Sequence, residues 1–414
     1  MRQTLIASVK EEIKVEQKIL YDVFRREIRD HKIPLSLGKT CPVKCTFCYE
    51  KDISYRPTVD VPLTTQEDWE YILEQVKQYP TRPGESWLLG GNEYMEWTDI
   101  FLHPKALGWM EEFLDTTDKN IMFFTVGFLP PKRINYLVKK YPGRINFELS
   151  VITLGSHRKS LMPHGPSIKQ VLEILDGPAV ASANFYSFGP DTMSTDARTI
   201  SQINRKCVLW MGCMTPLKWI DKEPTALMRE GKKALPDEAR KIYSANLPNT
   251  TMIHTESYIT AFLSREKILK VFDASEIEKK DSVVLSGNVY RLLNLFRKNR
   301  SKFLYVPNDT LGGDSDCATL LTFSDISKRL TGQTRVWLPK VILESSSKEE
   351  KDISGVYFDD FKASHPRIRF KVLHKVNSHL SNRKLYEKGF IKNYVEDYLD
   401  NPLSRKFEAE ALPS

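Results

Sequence analysis

What the sequence lacks narrows it first. It has no long apolar run: the most apolar stretch, Ile121–Pro131, falls far short of the ~18 residues a membrane span needs. It has no low-complexity tract, no internal repeat and no dense Lys/Arg block interleaved with aromatics. Its first thirty residues alternate charged and apolar positions, unlike a signal or transit peptide, so a cytoplasmic location is expected. Cysteine is scarce, with six in 414 residues. Three of these crowd together while Cys207, Cys213 and Cys317 lie far off, which argues for metal binding rather than a disulfide framework.

What remains is the composition of a globular protein, 41% hydrophobic and 28% charged. The length allows a large core and two domains, since domains run ~100–200 residues. The net charge of +8 tolerates an anionic partner, but 53 acidic residues dilute it toward an ordinary solvated surface.

Periodicity organises the chain. Residues 4–30 place Ile6, Val9, Ile13, Leu20, Phe24 and Ile28 on one helical face. Ile33–Leu37 reads as a short strand, and Thr64-Thr-Gln-Glu67 as a capping-box start for a helix to about Tyr79. Strands follow at Ser86–Gly90, Asn120–Val126, Ile145–Ile152, Ala179–Phe188 and Val208–Met211. Helices separate them at 104–115, from Pro130-Pro131 onward, at 167–176 and at about 194–204. Six strands alternating with helices predict an α/β fold of parallel units, which right-handed crossovers wrap into a partial (β/α)6 TIM-like barrel. Chemistry in such barrels sits at the carboxyl ends of the strands, where Cys41, Gly90-Gly91, Ser150 and Cys213 fall.

Residues 221–280 read as a charged helical connection with Pro236 at a helix start. A smaller α/β domain then begins, with strands at Val283–Leu285, Phe303–Val306, Val336–Leu343 and Arg369–Leu373, a helix at 288–298 and a turn at Asn308–Asp316. Residues 382–399 read as a charged terminal helix and the last dozen as a frayed end. The expected divisions are 1–32, 33–220, 221–280, 281–380 and 381–414.

The chemistry gathers at Cys41-Pro-Val-Lys-Cys45-Thr-Phe-Cys48, three thiols within eight residues. Thiolates are the ligands of iron–sulfur clusters and of zinc, and a closed site of either kind wants four. Three thiolates leave one iron of a four-iron cube open. A structural zinc or redox site instead needs a fourth ligand from Cys207, Cys213 or a histidine.

The motif Cys41-x-x-x-Cys45-x-x-Cys48, with Phe47 before the last cysteine, resembles the signature of the radical S-adenosylmethionine (SAM) family. Gly90-Gly91-Asn92-Glu93 resembles that family's Gly-Gly-Glu segment, with Asn92 inserted. The resemblance implies a [4Fe–4S] cluster on Cys41, Cys45 and Cys48, with SAM on the open iron. Reductive cleavage of SAM then yields a 5′-deoxyadenosyl radical that abstracts hydrogen from a substrate. It also implies that Phe47, Gly90, Gly91, Asn92, Glu93, Ser150 and Arg158 help bind SAM. An electron donor such as flavodoxin or ferredoxin is implied; the composition predicts no membrane, and no sequence block demands cobalamin. The substrate stays open among a peptide or protein side chain, a small metabolite and a tRNA base.

The residues themselves leave several roles open. Arg158 is either a fork for a carboxylate or a surface arginine. His157 and His164 are either proton carriers or solvated side chains. Cys213 is either a hydrogen-atom donor, an auxiliary-cluster ligand with Cys207, or a core thiol like Cys317.

Asn308-x-x-x-Gly312-Gly, Leu320-Leu-Thr-Phe-Ser-Asp325, Leu338-Pro and Phe358-Asp-Asp360 resemble a domain of unknown function that follows the radical SAM core in certain bacterial proteins. A competing expectation is a non-catalytic metal-binding interaction protein. It would carry zinc or a structural cluster and bind RNA or a protein through its second domain.

Overall fold

The computed structural model describes residues 63–80, 84–90, 99–253 except 215 and 219, 280–296, 303–312, 321–343, 356–373 and 401–411. It also describes parts of 21–48, a few positions between 262 and 278, and residues 350, 352 and 354. The expected helix at 382–399 lies outside the described residues, as does the 4–20 part of the expected helix at 4–30.

Seven strands form one parallel sheet whose spatial order is the chain order. They are β1 Lys32–Ile33, β2 Ser86–Leu89, β3 Asn120–Thr125, β4 Ile145–Ile152, β5 Val180–Ser187, β6 Val208–Cys213 and β7 Thr251–Ile253. Among the described residues no ladder joins β7 back to β1. Five of the six expected strands are present at their places, whereas the first, expected at Ile33–Leu37, shrinks to Lys32–Ile33, because Pro34 brings no amide to continue the ladder. The seventh corrects the reading of 221–280 as wholly helical: Leu209 registers with Thr251 and Met211 with Ile253. Three residues carry too little periodicity to announce a strand beside a 23-residue helix.

Two further details differ from expectation. The helix expected after Thr64, α1 (Gln66–Lys77), is capped by Thr65 and Asp68 rather than by Thr64 and Glu67. Thr64 is occupied elsewhere, its hydroxyl accepting the Ser36 amide at 2.8 Å. Pro236 does not start a helix but lies inside a continuous one, Lys222–Ser244. A proline there forfeits one backbone hydrogen bond, which the buried face of Met228, Leu235, Ala239 and Ile242 offsets.

The chain divides into two compact units. The first holds Met1–Lys44, Thr58–Val151 and His164–Ser182; the second holds Cys45–Pro57, Ile152–Pro163 and Ala183–Ser414.

In the first unit, α2 (Ala106–Thr116) and α3 (Pro131–Lys140) follow β2 and β3. Trp87, Leu89, Ile121, Phe123, Phe147, Leu149 and Val151 alternate onto the buried face of the sheet. Phe123 stacks on Phe147 at 5.0 Å, and Trp69 of α1 stacks on Trp109 of α2 at 5.2 Å. Each such ring contributes roughly 1.5–3 kcal/mol by leaving water. The opposite face is half-exposed. It carries Leu88, Met122 and Asn146 in one register row and Phe124 and Glu148 in the next.

In the second unit, α4 (Arg158–Leu161) and α6 (Thr192–Ile203) accompany the long α7 (Lys222–Ser244); α5 (Ile168–Leu175) belongs to the first unit. Asp191, which precedes α6, supplies no side-chain cap. Instead the buried carboxylate of Glu238 on α7 accepts the amides of Asp191 and Ser194, each at 2.8 Å. Helix α7 approaches the end of β5 so closely that a Cβ on Gly231 would stand 1.8 Å from the Ser187 carbonyl oxygen.

A second parallel sheet has the order β11-β10-β8-β9, with β8 Ser282–Leu285, β9 Phe303–Tyr305, β10 Arg335–Pro339 and β11 Arg369–Leu373. Its helices are α8 (Gly287–Phe296), α9 (Phe323–Ser327) and α10 (Phe358–Ala363). Phe323, Ile326, Phe358 and Phe361 pack with Val284, Val306, Val336 and Leu338 in one core. Strand β10 stops at Pro339, short of the expected Leu343, because the chain winds into a 3-10 turn over Lys340–Ile342 that seats Ile342 in the same core. The expected frayed end is also corrected. Residues Pro402–Ala411 form helix α11, with Pro402 opening it and the Asn401 side chain accepting the Leu403 amide. No helix among the described residues is long and apolar enough to cross a membrane.

Candidate metal and cofactor site

The three thiols of the loop after β1 are in no disulfide and are partly exposed. Lys44 takes a positive φ of 51°, which bends the backbone directly before Cys45. Cys45 and Cys48 then share a turn, with the Cys48 amide donating to the Cys45 carbonyl at 3.3 Å. Between them, Thr46 donates its amide at 2.9 Å and its hydroxyl at 3.3 Å to the Leu161 carbonyl. This seats the middle of the motif on α4, which belongs to the same unit. Phe47 is half-buried in that turn.

Arg158 opens α4, and the structure decides against a surface arginine, because its side chain is only 4% exposed. Its Nη1 donates to the Thr153 carbonyl at 3.4 Å. Burial pushes its pKa down to about 10, opposed by the nearby Cys45 thiol and Asp196 carboxylate, so it stays charged at neutral pH.

Asp196 on α6 accepts the Leu154 amide at 3.1 Å. Burial pushes its carboxyl up to about 6, against the Thr153 hydroxyl, the Leu154 amide and the Arg158 charge, with Glu238 adding to the rise. Sequence reasoning missed Asp196 because it lies 38 positions beyond Arg158 on another helix. His157 is half-buried and precedes α4, where its carbonyl accepts the Ser160 hydroxyl at 2.9 Å.

In the first unit, Gly90 ends β2 with φ +73°, and a Cβ there would stand 1.9 Å from Ile100 Cγ2. Both facts demand glycine on structural grounds alone. Gly91, Asn92 and Glu93 lie outside the described residues. The segment resumes at buried Asp99, which accepts the Thr125 hydroxyl at 2.6 Å and the Val126 amide at 2.9 Å. The loop after β2 is thereby fastened to the carboxyl end of β3. Burial raises the Asp99 pKa, and the Thr125 hydroxyl and three backbone amides oppose that rise. Ser150 stands on the half-exposed face of β4, two positions beyond Glu148.

The remaining cysteines separate by edge. Cys213 ends β6 at the carboxyl edge and is partly exposed. Cys207 precedes β6 at the amino edge and is fully buried. Its thiol donates to the Asn204 carbonyl at 3.4 Å, and burial pushes its pKa up to about 11. That thiol is engaged within the protein at the amino edge. Cys317 lies outside the described residues, and His164 is exposed.

The donor chemistry fits a thiolate-bound cluster: three reduced thiols in one loop, with a buried guanidinium close to Cys45 to offset negative charge. Convergence is a separate matter. Among the described residues no three His, Cys, Asp or Glu side chains gather around one point as a metal set. The chain matches no model of a known protein family, and no curated protein matches it.

Proposed function

We propose that this chain is a radical SAM enzyme built on a partial parallel α/β barrel. Cys41, Cys45 and Cys48 hold a [4Fe–4S] cluster, and Phe47, Gly90, Gly91, Asn92, Glu93, Ser150 and Arg158 hold SAM. When bound, this pair of groups supplies one-electron cleavage of the sulfonium and a 5′-deoxyadenosyl radical for hydrogen abstraction.

The observation that carries the reading is the seating of Cys45–Cys48 on α4 through Thr46 and Leu161, with buried Arg158 beside Cys45. A zinc knuckle needs no such cation, whereas a site that gathers thiolates and a carboxylate-bearing ligand gains from one. Arg158 has the fork to orient a carboxylate, and the nearby charge of Asp196 favours its cationic form. The open face of β3 and β4, with Phe124, Glu148 and Ser150, offers apolar and polar surface to an organic ligand.

The test is release of 5′-deoxyadenosine from SAM by anaerobically reconstituted, dithionite-reduced protein, with Cys45→Ala alongside. Release by the wild type and none by the variant is the expected result. Colourless protein that binds zinc and takes up no iron would overturn the proposal.

A further inference from the structure

The second sheet carries a site of its own. Its order, β11-β10-β8-β9, reverses direction between its first strand in the chain, β8, and its third, β10. Phe323, Ile326, Phe358 and Phe361 share one core, so α9 and α10 lie together on one face of the sheet. Right-handed crossovers place α8 on the other face. The connections leaving β8 and β10 therefore part to opposite faces. In open parallel sheets that parting makes a crevice outside the carboxyl ends, where ligands bind.

The residues at this point have the chemistry of an anion site. Ser286 follows β8 directly and precedes α8, a helix of ten residues. It holds the capping position, with its carbonyl accepting the Tyr290 amide at 2.9 Å. A capping serine ordinarily turns its hydroxyl onto the first-turn amides, over which it projects. Here the hydroxyl does not: Ser286 is 2% exposed, and its Oγ has no hydrogen-bond partner.

Across the crevice, Val336 registers with Ser282 and Trp337 with Val283. Lys340 directly follows β10, the strand that pairs with β8, at the same carboxyl edge. Lys340 is half-exposed, opening this edge to solvent, and has no ion-pair partner among the described residues.

We propose that Ser286, the first-turn amides of α8 and Lys340 bind the phosphate group of a small phosphorylated molecule. A helix N-terminus presents amides and the positive end of its dipole to an anion. The buried hydroxyl supplies a hydrogen bond that the protein leaves unused, and the lysine supplies the countercharge. This inference does not rest on the radical SAM reading, and a chain without any cluster would still show it.

The test is calorimetric titration of the full-length protein with inorganic phosphate and, separately, with glycerol 3-phosphate. Saturable binding should weaken about tenfold in Ser286→Ala and in Lys340→Gln, the loss of one hydrogen bond to a charged group. Ser286→Ala should melt no lower than the wild type without phosphate, because it deletes an unsatisfied hydroxyl. Tighter binding of the ester identifies a phosphorylated metabolite as the ligand; equal binding identifies the free anion. No saturable binding of either probe, or undiminished binding in both variants, would overturn the assignment.

Discussion

Asp281 and Arg335 are joined as a two-pronged pair at the amino edge of the second sheet. Nε and Nη2 of Arg335 donate to the two carboxylate oxygens at 2.5 and 2.6 Å, and Trp337 Nε1 adds a third bond at 2.8 Å. Burial pushes the Asp281 carboxyl up, but these donors outweigh it and hold the pKa at about 2. Stability from this pair is therefore complete above the ordinary carboxylate value of ~3.9 and lost as pH falls toward 2. Asp281→Asn should lower unfolding free energy by about 2 kcal/mol at pH 7, the worth of a shift of about two units. The difference should close between pH 4 and 2 in urea titrations. Equal stabilities at pH 7 would refute this.

Gly90 carries a steric prediction. Its φ of +73° and the 1.9 Å approach of Ile100 Cγ2 act together, so Gly90→Ala should cost about 2–4 kcal/mol. Gly84 has a similar φ of +76° but open space around it, so Gly84→Ala should cost only about 1 kcal/mol. Adding Ile100→Ala to Gly90→Ala should recover part of the loss, a coupling that a double-mutant cycle reads directly. Equal costs at the two glycines would show that the contact with Ile100 has no weight.

The cysteines should divide chemically as they divide in space. With its pKa near 11, Cys207 holds roughly one thiolate in a thousand at pH 8 and is fully buried besides. Iodoacetamide applied to metal-free protein should therefore label Cys41, Cys45 and Cys48 long before Cys207, as read by peptide mass spectrometry. Comparable labelling of Cys207 would contradict its buried placement.

Much of the fold was legible where one strong local pattern covered a whole element. Strands Ile145–Ile152 and Arg369–Leu373 have the bounds that their sequence patterns announce. The misreadings arise where distant contacts decide between local options. Two overlapping capping boxes compete at 64–68, and the Ser36 amide, 28 positions away, settles the choice by engaging Thr64. Pro236 resembles a helix start until its burial inside α7 is known.

In the candidate site, the cysteine spacing is visible in the sequence, but the burial of Arg158 is not. It shows only in the folded chain, where Nη1 reaches the Thr153 carbonyl, and leaves no local mark. The idle hydroxyl of Ser286 is likewise invisible, since a serine before a helix reads as an ordinary cap.

The two strand orders imply different histories for a nascent chain. In the first sheet every strand pairs with the one synthesised just before it, so each ladder closes as soon as its second strand emerges. In the second sheet β8 gains β9 promptly, but its other flank stays bare until β10 arrives; Ser282 waits for Val336. During that interval β8, with buried Val283, Val284 and Leu285, presents an unpaired apolar edge to neighbouring chains. Ribosome pausing between β9 and β10 would prolong that exposure.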